Sequence, residues 1–592
     1  MKLPYFPQDA PFSDDQRAWL SGFLAAMGTR LAAPSGAGAA AAAAPAMQIL
    51  YGSQTGNAES VAEDAAAAAK AQGFTPAVCA LDDVDMERLA AAQRVLVVTS
   101  TYGEGEMPDN AELFWQALSA DSARRMESLD FAVLALGDTG YDGFCQAGKM
   151  VDTRLEQLGA HRVAPRVDCD VDYEDAATGW ISDILPLFAA VEGIRKEPTV
   201  LERDQLTETA ERGAKTARKR SPWNRKNPYR SQVALNRRLS GDTSSKEIRH
   251  YEFALADSGL EYEAGDALGV MPINDSALVN ALIERLGFDP DAVVTGKERP
   301  LSDLLTHSYE ISTPSHELID EIEKRAAHDE LSHVLHRGEK SDLDAWLWGK
   351  DILDLLELVP SLAFEVDEFV GLLRPLQHRA YSISSSPLAN PGHVHLTVAS
   401  VRYTSTGRDR GGVCSTYLAD RLAAGDHGGI FVSKNKSFRV PANDDVPMIM
   451  VGPGTGVAPF RAFLQERKAR GATGRNWLFF GDQHRSSDYI YEEELEALSS
   501  DGILTRLDLA FSRDQEEKIY VQSRMLENGK ELFSWLEDGG HFYVCGDATR
   551  MAKDVDRALH EVIETHGGMS VEDAAEYVTA LKREKRYLRD VY

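Results

Sequence analysis

The chain has 592 residues, 43% of them hydrophobic, and a formal net charge of -30. That length suggests about four domains of ordinary size with enough apolar material to pack them. The negative charge opposes binding to phosphate backbones or anionic lipid and favours a basic protein partner, so nucleic acid is excluded as a partner class. The five cysteines, Cys79, Cys145, Cys169, Cys414 and Cys545, are scattered without a CxxC pair. Neither a metal site, an iron-sulfur cluster nor a disulfide framework is expected. No strongly apolar run of about 18 residues and no signal-like N-terminus occurs, so the expected location is a reducing cytoplasm with no membrane contact.

In chain order, residues 1–46 begin with a helical stretch at 13–31, capped by Ser13, that gathers Trp19, Leu20, Phe23, Leu24 and Met27 toward one face. This spacing predicts a helix that docks a partner or a second copy of the chain as a homo-oligomer. An Ala-rich tether broken by Pro34, Gly36, Gly38 and Pro45 follows. In residues 47–192, apolar runs at 47–51, 94–99, 131–136 and 161–167 alternate with helical patterns. Such alternation predicts a doubly wound parallel sheet. Residues 193–226 form a second linker containing a basic island, "RGAKTARKRSPWNRKNPYRS", with a domain boundary near Lys226 and a mobile hinge around 219–226. Residues 227–443 switch to short alternating strands, interrupted at about 276–373 by helical segments, which predicts an antiparallel barrel with a helical insertion. Residues 444–592 return to α/β alternation through "VPMIMV", "NWLFFG", "LTRLDLAF" and "HFYVCG".

The loops carry the chemistry. The first strand runs into "GSQTGNAES" and a helix over about 57–72, stopped by Gly73. Ser53, Thr55 and Asn57 supply polar groups, and Gly56 lets backbone N–H groups converge at the positive helix start, which suits a phosphate. An ordinary capped turn is the competing reading. The next two strands end in "TSTYGEGEMPDN" and "LGDTGYDGFCQAG", on the carboxyl edge where such sheets bind ligands. Tyr102 and Tyr141 sit in Gly-rich turns with little core to fill, where each can lie against a flat ring. No GxxxxGKS or GxxxxGKT is present, which argues against a nucleotide triphosphatase. A phosphate cradle between two aromatic plates resembles the FMN site of flavodoxins. The resemblance implies phosphate contacts from Ser53, Gln54, Thr55, Gly56, Asn57 and Ala58. It implies ring contacts from Ser100, Thr101, Tyr102 and Gly103, and from Leu136, Gly137, Asp138, Tyr141, Phe144 and Cys145. Cys145 and Cys169 are read as packing residues.

In the barrel region, Arg379 of "RAYSISSSP" suits a diphosphate and Tyr381 can cover a ring, while Gly411 and Gly412 of "GGVCSTYLADRL" precede a helix start. In this order the motifs resemble the FAD barrel of the ferredoxin-NADP reductase family. That implies FAD contacts from Arg379, Ala380, Tyr381 and Ser382, from Thr397, Val398, Ala399 and Tyr403, and from Gly412, Val413, Cys414 and Ser415. In the third region a buried strand meets a Gly-rich turn holding Gly454 and Thr455. Further on, Ser512, Arg513, Lys518 and Tyr520 are spaced to surround an adenosine 2'-phosphate, with Ile519, Val521 and Gln522 in the same segment. Charge-assisted hydrogen bonds are worth roughly 1.5 to 3 kcal/mol each, so two would favour NADP over NAD by about two to four decades. NADPH is the expected donor.

Three nucleotide sites in the order FMN, FAD, NADP resemble the diflavin reductases. Within them, "SQTGNA", "GDALGV", "GPGTGVAPFRAF", "SRDQ", "YVCGD" and the ending "RDVY" are similar to the flavoprotein component of bacterial NADPH-dependent sulfite reductases. The resemblance implies electron flow from NADPH to FAD to FMN to a separate sulfite reductase hemoprotein, which reduces sulfite to sulfide for cysteine biosynthesis. It implies a hydride-transfer cluster of Ser382, Cys545 and Asp590, with Tyr592 as a displaceable lid over the flavin and Asp554 as a further NADP contact. Orientation and charge stabilisation are the expected work of the cluster, not nucleophilic attack. Acidic Glu104, Glu106, Asp109 and Asp142 are expected to steer the partner. The motifs define the donor side better than the acceptor, so another heme protein or a nitrate reductase stays open as acceptor. A scaffold module with lapsed redox sites is the reading from a different class.

Overall fold

A computed structural model describes residues 44–192 and 221–592, apart from 104, 142, 327 and 337–339. The helix expected at 13–31, the Ala-rich tether, most of the second linker, Glu104 and Asp142 lie outside the described residues.

The first unit is built on β1 (Ala46–Gly52), β2 (Thr75–Ala80), β3 (Arg94–Ser100), β4 (Asp130–Leu136), β5 (His161–Arg162) and β6 (Val167–Cys169). The strands pair in parallel in the order β2-β1-β3-β4-β5, with β6 also beside β4. Helices α1 (Asn57–Ala71), α2 (Glu112–Ser119), α3 (Gln146–Gln157) and α4 (Tyr173–Glu192) cover the sheet. Every residue of β4 is buried, as a strand covered on both faces requires. Strand β2 was not read from the sequence: "TPAVCA" is a mostly exposed edge strand containing Pro76, so it has no apolar run to betray it.

The second unit pairs β7 (Tyr229–Arg238), β8 (Glu247–Ala254), β9 (Ala267–Met271), β10 (Arg379–Ser382), β11 (His393–Ser400) and β14 (His427–Ser433) in the order β10-β9-β14-β7-β8-β11. A bridge from Ile383 to Leu396 joins the two end strands and closes the barrel. The hairpin β12 (Arg402–Ser405) and β13 (Arg408–Gly411) stands beside it, and α5 (Val413–Asp420) follows. A helical block from Ser276–Leu286 to Val366–Gly371 interrupts the barrel and has its own core around Leu282, Leu304, Ile319 and Leu356.

The third unit has five parallel strands in the order β17-β16-β15-β18-β19: β15 (Met448–Val451), β16 (Asn476–Asp482), β17 (Arg506–Phe511), β18 (His541–Gly546) and β19 (Tyr587–Val591). Helices α6 (Ala458–Arg470), α7 (Val521–Glu527), α8 (Met551–Gly567) and α9 (Val571–Arg583) pack around them. The strand order reverses between β1 and β3 in the first sheet and between β15 and β18 in the third. Ligand crevices form at such reversals. Strand β19 was not among the strands read from the sequence: it is paired in register with β18, Cys545 opposite Asp590, and Tyr587 is only 5% exposed.

The barrel meets the third unit through a buried polar network. Tyr491 Oη lies 2.8 Å from His250 Nδ1 and 2.7 Å from Thr397 Oγ1, while Arg461 Nη1 donates to the Ser384 carbonyl at 2.6 Å. Burial, reinforced by the Arg461 charge, lowers His250 to about 2 and His395 to about 3. Both are therefore neutral in the folded protein near pH 6, where the unfolded chain takes up protons, so stability rises with pH across that window. We expect stability to fall as the pH drops below about 6.5, each histidine adding up to about 1.4 kcal/mol per pH unit. Denaturant titrations at several pH values, with His395→Gln showing the shallower slope, check this.

Candidate functional site

Loops from all three units line one continuous cavity of about 3250 Å³. A pocket for one small ligand occupies roughly 300–1,000 Å³, so this space admits several flat groups together.

From the first sheet, Gln54, Thr55, Gly56 and Asn57 face the cavity, as do Ser100, Thr101, Tyr102, Gly103, Leu136, Gly137, Asp138, Tyr141 and Phe144. Ser53 is buried inside its loop, where Oγ accepts from the Ala58 amide at 3.2 Å. It thus caps the start of α1 and shapes the cradle from behind. Gly56 has φ of 85°, and a Cβ there would lie 2.3 Å from the Lys434 carbonyl oxygen, so only glycine allows this loop to meet the barrel. Cys145 is turned away from the cavity, its Sγ 3.5 Å from the Ala135 carbonyl. Burial pushes its thiol up to about 12. Tyr141 keeps half of its surface exposed, and Tyr102 presents its ring to the same space. A cradle at a helix start beside the exposed Tyr141 and the half-buried Tyr102, which packs against the third unit's core, fits a phosphorylated flavin.

From the barrel, Ala380, Tyr381, Ser382, Thr397, Val398 and Ala399 line the cavity. Arg379 is exposed and spends one bond on the His378 carbonyl. Gly412, Val413, Cys414 and Ser415 do not line the cavity; they form the start of α5 beside it. There Gly412 donates to the Val401 carbonyl, and Ser415 Oγ accepts from the Val401 amide. Cys414 is buried with Sγ toward the Val270 carbonyl. Tyr403 also lies off the cavity, with its ring centroid 5.5 Å from that of Trp348, whose side chain is largely exposed. Sequence reasoning missed Trp348, because a tryptophan in a helical insertion reads as core.

The third unit contributes Thr455, Lys553, Asp590 and Tyr592. Ser382 Oγ donates to Asp590 Oδ2 at 2.5 Å, and Cys545 Sγ lies 3.8 Å from the same oxygen. The three residues expected to act together are thus in contact, although 208 positions separate Ser382 from Asp590. Burial raises the Asp590 carboxyl, offset in part by the Ser382 hydroxyl. Burial beside Asp590 pushes the Cys545 thiol well above its ordinary range, so it is protonated at neutral pH and cannot serve as a thiolate. The Tyr592 main chain is held by Gly546 and Ala548, while its ring is 61% exposed, with Oη 3.0 Å from Thr455 Oγ1.

Ser512, Arg513, Lys518, Ile519, Tyr520, Val521 and Gln522 lie outside the main cavity, from the end of β17 into α7. Gln522 Nε2 reaches Asp554 Oδ2 at 3.5 Å, bringing two of the expected NADP contacts together. Among the described residues Arg513 and Lys518 have no carboxylate partner, which fits a 2'-phosphate. Gly454, with φ of 59°, turns the chain after β15. The group with metal-ligand spacing, His250, Glu252 and His395, is better read as a hydrogen-bonded network. Arg461 sits 3.4 Å from His395 Nδ1 and offers only protons, which leaves the ring proton on Nε2, facing Glu252.

A seam of ion pairs joins the first unit to the other two. Arg589 bonds Asp109 and Glu112, Lys582 bonds Glu112, and Lys436 bonds Glu59 and Glu63. Arg225 and Lys226, read as part of a mobile hinge, are tied to Asp172, Glu174 and Asp175. Asp109, expected to steer a partner, is thus engaged within the chain.

Three family models match: "Flavodoxin" over residues 49–180, "FAD binding domain" over 221–417 and "Oxidoreductase NAD-binding domain" over 450–557. The chain is 44% identical to the sulfite reductase (NADPH) flavoprotein alpha-component of Bacillus subtilis (strain 168), covering 98% of this chain and 96% of that one. It is 41% identical to the protein of the same name from Cronobacter sakazakii (strain ATCC BAA-894), over 98% and 96%. For that of Escherichia coli (strain K12) the identity is 40%, over 98% and 95%.

Asp590→Asn keeps an acceptor for Ser382 but removes a carboxyl whose ionisation is costly when buried. The raised carboxyl withdraws stability as pH rises, so the variant gains thermal stability over the parent at neutral pH and loses that gain below about pH 4. Flavin reduction by NADPH, followed by stopped-flow absorbance, slows about 10²-fold.

Proposed function

The chain belongs to the family of sulfite reductase (NADPH) flavoprotein alpha-components, and we propose that it is their electron-input component, feeding a separate sulfite-reducing hemoprotein. It is an NADPH-dependent diflavin reductase with the electron order NADPH, FAD, FMN, hemoprotein. When bound, these cofactors supply the hydride and one-electron chemistry, and the protein supplies binding, orientation and electrostatics.

The observation that carries this reading is the single cavity in which loops of the first unit, the barrel and Asp590 with Tyr592 all meet. Ser382 and Cys545 both turn toward Asp590, which fixes one carboxylate at the site proposed for hydride transfer. Tyr592 is proposed as the displaceable cover of the FAD ring: its backbone is pinned while its ring is held by one exposed hydrogen bond. Tyr102 and Tyr141 are proposed as the FMN plates. Arg513 and Lys518, left without acids, are proposed to hold the 2'-phosphate of NADPH, with Gln522 and Asp554 beside it. The helix expected at 13–31 is proposed to carry subunit assembly.

Among the described residues no helix is long and apolar enough to cross a membrane. All five cysteines are free thiols, which supports the proposal of a reducing cytoplasmic setting.

Arg513→Ala, and separately Lys518→Ala, should raise the KM for NADPH about 10- to 100-fold and leave that for NADH nearly unchanged. Steady-state kinetics with both nucleotides measures the discrimination. Extraction of the purified chain should release FMN and FAD in equal amounts. Mixing it with a sulfite-reducing hemoprotein should give NADPH-dependent sulfide release; failure with that partner but success with another heme acceptor would reject the assignment of acceptor while keeping the diflavin reading.

A further inference from the structure

The last strand carries a residue that no motif assigned. Side chains on a strand alternate between faces, so Arg589 points away from Asp590 and Tyr592 and toward the first unit. Its Nη2 donates to Asp109 Oδ1 at 2.5 Å and to Glu112 Oε1 at 2.6 Å. The three side chains are only 21%, 22% and 29% exposed. Asp109 is held in turn by the phosphate-cradle loop: its amide donates to Gln54 Oε1 at 3.0 Å, and Gln54 Nε2 donates back to Oδ2 at 3.3 Å. Two residues further on, the Val591 carbonyl accepts from Tyr102 Oη at 2.9 Å.

Other ion pairs on the seam are weaker candidates for controlling it. Lys436, Lys585 and Lys226 are 55%, 65% and 51% exposed, and such surface pairs contribute little. Arg225 is more sheltered, but it stands at the end of the linker that joins the two units, which makes it a pivot. Arg589 sits away from that pivot, facing both the cradle loop and the Tyr102 loop.

We propose that Arg589 is a positioning residue, a clasp across Asp109 and Glu112 that sets how much of the time the first unit is docked on β19. This rests on the function proposed above, since docking is what brings the two flavin sites into one cavity. Burial pushes the Asp109 carboxyl up against the pull of Arg589, whereas at Glu112 the burial cost is outweighed by Arg589 and Lys582, which hold its carboxyl below the usual range. Asp590 and Tyr592 lie on the opposite face, so opening the clasp leaves the NADPH side assembled.

The test is small-angle X-ray scattering of the flavin-loaded full chain across a salt titration, comparing the parent with Arg589→Leu. Arg589→Leu removes two charge-assisted hydrogen bonds, each worth at least about tenfold in an equilibrium constant, so it should expand at low salt to a radius of gyration that the parent reaches only at high salt. Its flavin content and its FAD reduction by NADPH should match the parent's. Arg589→Lys should recover part of the docking, and Arg589→Glu combined with Glu112→Arg more than either single change. An Arg589→Leu chain as compact as the parent at low salt overturns the proposal. Should that variant lose its flavins, the double variant Asp109→Asn, Glu112→Gln decides: expansion supports the clasp and unchanged compactness overturns it. A parent that docks in this salt-sensitive way but fails to reduce FMN would sink the functional reading and leave the clasp standing.

Discussion

The pairing of β19 with β18 is the constraint on which the site depends. Parallel register sets Cys545 beside Asp590, and the alternation of a strand sends neighbouring side chains to opposite faces. Asp590 therefore reaches Ser382 on the barrel while Arg589 reaches Asp109 and Glu112 on the first unit. Five residues of strand thereby connect three sheets. The strand is held by its own core contacts as well as by the ladder: the Tyr587 ring packs edge-on to Phe542, and its hydroxyl donates to Asp556.

The two seams around this strand differ in kind. Between barrel and third unit, the groups are buried or half-buried and mostly paired: Arg461 serves the Ser384 carbonyl and Glu494, Tyr491 serves His250 and Thr397, and Ser386 is held by Gln465 and Glu466. Breaking such a network strands buried polar groups, at about 1–3 kcal/mol each, so these units behave as one body. The first unit is attached instead through ion pairs, of which those of Lys436, Lys585 and Lys226 are largely exposed while those of Lys582 and Arg589 are more sheltered. Salt and solvent weaken such contacts. Under the proposed function, hydride transfer belongs to the seam of buried pairs and electron exchange with an outside partner to the seam of ion pairs.

Charge is distributed to match. In a chain of net charge -30, most arginines near the seams have acids, yet Arg513 and Lys518 stand on an exposed loop with none among the described residues. Asp109, expected to steer a partner, and its neighbour Glu112 are instead met within the chain by Arg589 and Lys582.

Much of this was legible in the sequence for definite reasons. Strands β1, β3 and β4 are apolar runs because both faces are covered, and the loops after them stand out because tyrosines and glycines there have no core to build. The motifs expected to hold FMN, FAD and NADP are contiguous, so short segments such as "RAYSISSSP" and "GPGTGVAPF" could be read locally. The edge strand β2 and the last strand β19 were invisible: one is exposed and contains proline, and the other, "YLRDV", sets two adjacent charges between apolar residues and so lacks a strand's alternation. The inward turn of Cys145 and the capping role of Ser53 depend on backbone dihedrals, which residue type does not announce. The sequence alone determined the order of sites and the residue types that serve them. Only the tertiary structure decided that Arg589, Asp590 and Tyr592 face different neighbours, because which face of a strand meets which unit depends on side chains 208 and 480 positions away in the chain.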